Sequence, residues 1–124
     1  MKAGMVPPSS RDAAAAKQRE HRRFARHRTD LPLIVKVLGQ EGYVRIHGRC
    51  TEMAESGLGA VVAAELSPGE IVSLEFTLPD GTQLSLRAVI RHRMGFLHGF
   101  EFVGMQRQQV ETVLAYCESL SPIP

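Results

Sequence analysis

An all-β domain finished by a single C-terminal helix is the fold class this sequence predicts. Two observations carry the expectation. From Leu33 onward the apolar residues recur with period two, and near the C-terminus that period gives way to a helical one. Successive strand side chains point to opposite faces, so period two marks a half-buried strand.

The clearest strands lie in the second half. Val72, Leu74, Phe76 and Leu78 alternate with Ser73, Glu75 and Thr77. Leu84, Leu86, Ala88 and Ile90 alternate with Gln83, Ser85 and Arg87. Between them stands Pro79-Asp80-Gly81, a turn in which Pro presets φ and Gly supplies a positive φ. Further turns are predicted at Gly39 to Gly42 and at Ser67-Pro68-Gly69. Strands are therefore expected over residues 32–38, 43–52, 57–63, 70–78, 82–92 and 95–103. Six short strands at regular spacing predict an antiparallel sandwich or a closed barrel, and closure would remove exposed edges. Val110, Val113, Leu114 and Cys117 then fall at i, i+3, i+4 and i+7, one face of a helix over 106–119 that caps the sheet.

The chain has 124 residues, which favours one domain with a real core. Residues 1–11, with Pro7-Pro8-Ser9-Ser10, read as disordered, and Asp12 to Arg23 as a short frayed helix. The expected division is a flexible arm over 1–18 and a barrel domain over 19–120. Cys50 and Cys117 fit no metal or redox spacing and read as reduced thiols. No apolar run approaches the roughly 20 residues of a membrane span. Met1 to Ser10 lacks the apolar stretch of a secretory signal. A soluble, cytoplasmic protein is expected.

Charge is unevenly spread. The net charge is +2, yet residues 1–30 hold eight Lys/Arg against three acids, and the remainder holds seven against ten. A basic arm on a mildly acidic body suits an anionic partner. Arg19, Arg22, Arg23, Arg26 and Arg28 fall within ten residues. Guanidinium groups grip phosphate bidentately and stack on flat rings. Two lesser basic stripes, Tyr43-Arg45-His47-Arg49 in alternation and Arg91-His92-Arg93, read as solvated sheet faces.

Catalytic signatures are missing: no G-x-S-x-G, P-loop, H-E-x-x-H or G-x-G-x-x-G occurs. Ser56-Gly57-Leu58-Gly59 is too short to cradle phosphate by itself. Glu52 and Glu55 read as solvated acids beside a turn, and the five His residues hold no metal-ligand spacing. His98, in phase with Phe96, Phe100 and Phe102, reads as a satisfied histidine at the core edge. No enzyme and no cofactor are expected.

The arrangement resembles the PilZ domain family. That family opens on R-x-x-x-R before a D-L-P-like stretch, and here Arg22-Arg23-Phe24-Ala25-Arg26 precedes Asp30-Leu31-Pro32. Its second motif, D/N-x-S-x-x-G, follows about 30 residues later, where Glu52-Met53-Ala54-Glu55-Ser56-Gly57 stands. Gly99 to Gly104 resembles its closing strand. The resemblance covers roughly residues 19 to 118. It implies a six-stranded antiparallel Greek-key β-barrel of the split-barrel type, capped by the C-terminal α-helix. It also implies a non-catalytic receptor for the bacterial second messenger cyclic di-GMP, bound on the barrel's outer surface, that switches a downstream effector protein. Arg22 and Arg26 would be the clamps and Arg23 their support. Glu52 would take the acid position, Ala54 the serine position and Gly57 the glycine position. Two departures stand out: Glu52 replaces Asp or Asn, and Ala54 brings no hydroxyl. Nucleotide binding is expected to be retained, and the departures lend support to one alternative, a degenerate module that binds protein without nucleotide. A general nucleic-acid binder is disfavoured, because only Tyr43 and the row Phe96, Phe100 and Phe102 could stack on bases, and those phenylalanines read as core.

Overall fold

The computed structural model describes residues 25–124. Six strands and one helix follow in order: β1 (His27–Gly39), β2 (Gly42–Ala54), β3 (Gly57–Val62), β4 (Ile71–Thr77), β5 (Gln83–Met94), β6 (Leu97–Val103) and α1 (Arg107–Glu118). All neighbours are antiparallel, and the sheet closes in the order β1-β2-β3-β6-β5-β4, with β4 returning to β1. The long link from β3 to β4 lets the β4-β5-β6 meander fold back so that β6 lies beside β3, a Greek key.

The alternating residues behave as their period requires. Val72, Leu74, Phe76, Leu84, Leu86 and Ile90 all point into the barrel and are buried. Gly81 takes a φ of 94° in the β4–β5 turn, and the Thr82 N–H donates to Asp80 Oδ1 at 2.9 Å. That bond holds the Asp80 carboxyl below its usual range. Helix α1 closes one end, and its Val113 and Cys117 join the core cluster. At its start the Gln106 N–H donates to Gln109 Oε1 at 2.9 Å, which satisfies an orphan donor of the first turn.

Three details differ from the sequence reading. The first strand begins at His27, not at residue 32, and runs through Pro32. A proline is tolerated there because β1 is nearly an edge: its second neighbour, β4, pairs with it only at Ile34–Lys36. The C-terminal tail covers the start of that edge, with the Arg28 N–H donating to the Ser121 carbonyl and the Ile123 N–H to that of Arg26. Phe96 is not core. It is 56% exposed, because the last strand starts at Leu97 and Gly95-Phe96 is the hairpin turn, with Gly95 at φ 62°. Leu114 lies at the rim of the buried helix face and stays 38% exposed. The arm over 1–18, the expected helix over 12–23, Arg22 and Arg23 lie outside the described residues.

His98 is fully buried and bonded through both nitrogens. Nε2 accepts from the Leu66 N–H at 3.0 Å, so the ring proton sits on Nδ1, which donates to the Phe96 carbonyl at 2.8 Å. The neutral imidazole thus ties the β3–β4 link to the tip of the β5–β6 hairpin.

Candidate functional site

Arg26, the last arginine of the first motif, meets the second motif on the outer wall of the barrel, at the end where the Ala54–Gly57 turn lies. Arg26 stands immediately before β1, and its guanidinium donates to Glu52 Oε1 at 3.2 Å. Both side chains are open to solvent, at 61% and 34% exposure. An exposed pair of this kind is worth about 0–1 kcal/mol, so it positions the two groups without locking them.

Glu52 owes its outward direction to an irregularity in β2. Cys50 points into the core and is fully buried, yet Glu52, two residues on, faces outward. Regular alternation would put both on one face. The register explains it: Cys50 pairs with Ala60 and Glu52 with Gly59, so β2 carries one extra residue, Thr51, against β3. This is a β-bulge, and bulges commonly re-aim a side chain. The Cys50 thiol donates to the Glu52 carbonyl at 3.3 Å within the bulge.

On its other side Glu52 stands opposite Arg28 of β1, which is exposed. Arg28 belongs to the basic run noticed in the sequence, but its place beside the second motif follows from register, not from spacing. Gly59 leaves Glu52 room: a Cβ there would lie 3.0 Å from Glu52 Cγ.

Ala54 ends β2, paired with Gly57, and is 7% exposed. Gly57 has a structural reason to be glycine. A Cβ at that position would lie 2.1 Å from the Phe100 carbonyl oxygen, so any side chain would push β3 off β6. Arg26, Glu52, Ala54 and Gly57 are thus gathered on one patch.

The other basic stripes carry their own counter-charges. Arg45 bonds Glu75 at 3.1 Å, and Arg49 bonds Asp30 at 2.6 Å. Arg91 bonds Glu101 at 2.6 Å, and Arg93 bonds Glu65 at 3.2 Å. Lys36 also bonds Glu75, and that hydrogen bond, with the charges of Lys36 and Arg45, holds the Glu75 carboxyl below its usual range. Burial pushes the Cys50 thiol up to about 12 and the Cys117 thiol up to about 11, so neither is a nucleophile at neutral pH. Among the described residues no group of His, Cys, Asp and Glu is arranged to hold a metal ion, and no helix is long and apolar enough to cross a membrane.

Comparison with known proteins agrees with this geometry. The family model described as PilZ domain matches residues 18–119. No curated protein matches the chain. Among solved structures, the PilZ domain of CeSA from a cellulose-synthesizing bacterium is similar at 22% identity and a TM-score of 0.60, over 76% of this chain and 95% of that one. The PilZ domain of YcgR from Escherichia coli, solved with c-di-GMP, is similar at 18% identity and a TM-score of 0.64, over 80% and 90%. The Bacillus subtilis inhibitor of motility, MotI/DgrA, matches at 18% identity and a TM-score of 0.64; this chain covers 50% of it, against 79% of its own length. With a closed six-stranded barrel, one terminal helix and a family-model match over residues 18–119, this chain belongs to the PilZ domain family.

Proposed function

We propose that this chain is a receptor domain for cyclic di-GMP that uses no cofactor and catalyses no reaction. One observation carries the reading: Arg26 of the first motif and Glu52 of the second meet at 3.2 Å on the open outer wall. A dianionic ligand arriving there finds arginine donors, and a carboxylate able to accept from the N–H edge of guanine. The YcgR domain of the same fold was solved with c-di-GMP. Arg22 and Arg26 clamp the phosphates, and Arg23 supports them. Opening the Arg26–Glu52 pair costs little, because it is exposed. The missing hydroxyl at Ala54 removes one hydrogen bond, about 0.5–1.5 kcal/mol, which lowers affinity several-fold without abolishing it. Each arginine contact is charge-assisted, at about 1.5–3 kcal/mol, and dominates. As the receptor of an intracellular messenger, the domain works in the cytoplasm and passes its state to an effector protein.

A second reading has its own observation. Val61, Met94, Phe96 and Leu97 are all exposed, and Val61 and Met94 both pair with Leu97 at the barrel end remote from the motifs. With Ala54 in place of serine, a module that only binds protein would use such a surface and ignore the nucleotide. Titration with cyclic di-GMP, followed through the amide signals of Glu52, Gly57 and Gly59 by NMR, separates the two. Saturable shifts at those amides support the receptor. Unchanged spectra at millimolar ligand would sink it and leave the protein-binding module.

A further inference from the structure

A row of residues continues across the outer wall from the motif patch. Arg28 pairs with Glu52, Glu52 with Gly59, Gly59 with Gly99, and Gly99 with His92. The row thus crosses five strands in the order β1-β2-β3-β6-β5. Its middle is bare, since two glycines face each other in mid-strand. Neither glycine has a positive φ, so backbone conformation does not require them. Glycine inside a strand weakens it and marks a place where something approaches closely.

The side chains that approach are polar and come from both sides. Glu52 leans over Gly59, and His92 lies on Gly99, where a Cβ would stand 2.2 Å from its Nε2. His92 reaches this position by the same device as Glu52. Ile90 is fully buried, and His92, two residues on, is exposed. Ile90 pairs with Phe100 and His92 with Gly99, so Arg91 is the extra residue of a second bulge. Each strand flanking the β3–β6 pair therefore carries a bulge, at matching positions, and each bulge turns a polar side chain outward over the glycines. Bulges and strand glycines also help a barrel bend and close, but here both bulges aim a polar side chain at the same pair of glycines.

Neighbouring strands are about 4.8 Å apart, so Glu52 and His92 stand roughly 14 Å apart along the row. Once the imidazole lifts off Gly99, that backbone span admits one flat purine over Gly59 and Gly99. From this geometry we infer that His92 is the far wall of the nucleotide site: its imidazole lifts off Gly99 and stacks on one purine base of the ligand, opposite Glu52. The ring is exposed, and turning it breaks no core packing. This inference rests on the receptor reading and extends the site beyond the two motifs to a residue on β5.

Calorimetric titration of cyclic di-GMP into wild type, Arg26→Ala, His92→Ala, His92→Phe and Gly99→Ala tests it, with thermal melts confirming that each variant is folded. His92→Ala is expected to weaken binding by roughly fivefold or more, the scale of one lost base stack. His92→Phe, which keeps a flat face, stays within about twofold of wild type on the same reasoning. Gly99→Ala displaces the imidazole without touching Glu52 or the arginines, and so weakens binding too. If Arg26→Ala loses affinity while His92→Ala and Gly99→Ala both match wild type, the wall at His92 is overturned and the receptor stands. If wild type does not bind, both are overturned.

Discussion

The inner and outer faces of the β5–β6 pair each carry a histidine. Inside, His98 is fully buried, with one nitrogen accepting from Leu66 and the other donating to Phe96. Outside, His92 is exposed and rests on a glycine. One is committed to the fold, and the other is placed where a ligand would lie. The arginines divide in a similar way. Arg45, Arg49, Arg91 and Arg93 each bond a carboxylate on another strand or loop and make a solvated, self-neutralised face. Arg26 bonds the one carboxylate that occupies a motif position. Residue type is therefore a poor guide to role here, and the face on which the backbone presents the residue is a better one.

The sharpest break between the two histidines is in stability. His98→Ala removes the acceptor of a buried N–H and leaves a cavity, and is expected to cost about 3 kcal/mol in urea denaturation. Nucleotide affinity of the folded fraction should stay at the wild-type value. His92→Ala should show the reverse pattern, with an unchanged melt and weakened binding.

A middle-sized effect is expected from Ala54→Ser. Restoring one hydroxyl beside Gly57 should raise affinity by about two- to tenfold, the equivalent of one net hydrogen bond. A rise from an undetectable start would instead mark the natural chain as a degenerate module.

The smallest effect belongs to the self-neutralised face. The folded state holds the Glu75 carboxyl below its ordinary 4.5, chiefly through the Lys36 hydrogen bond. A depressed carboxyl contributes stability above its unfolded value and loses it as pH falls through the folded one. Denaturation midpoints should therefore decline below about pH 4.5, and Glu75→Gln should make that decline slightly shallower. Nucleotide binding at neutral pH should not respond to the same substitution.

Much of the fold was legible because alternation survives wherever a strand has one wet face. Val72 to Leu78 and Leu84 to Ile90 gave both strands and their inward residues, and the period change gave α1. Of the residues that spacing assigned to one site, the structure brings Arg26 and Glu52 within 3.2 Å, while Arg22 and Arg23 lie outside the described residues. Polarity marked Glu52 and His92 as solvated, but the means by which their strands turn them outward was hidden. Strict alternation puts Glu52 on the face of Cys50 and His92 on that of Ile90, which is the core face. Only the extra residues at Thr51 and Arg91 turn them outward, and an isolated sequence carries no mark of a bulge. Phe96 misled for a related reason, since it continues the phase of Phe100 and Phe102 but sits in the turn.

On the proposed reading the Arg26–Glu52 patch, and not the other basic faces, receives cyclic di-GMP. Calorimetric titration of the nucleotide into wild type, Arg26→Ala and Arg45→Ala tests it most directly. Wild type should bind saturably, Arg26→Ala should lose about tenfold or more from one charge-assisted contact, and Arg45→Ala should change by no more than about twofold. Equal losses in the two variants, or no heat from the wild type, would contradict it.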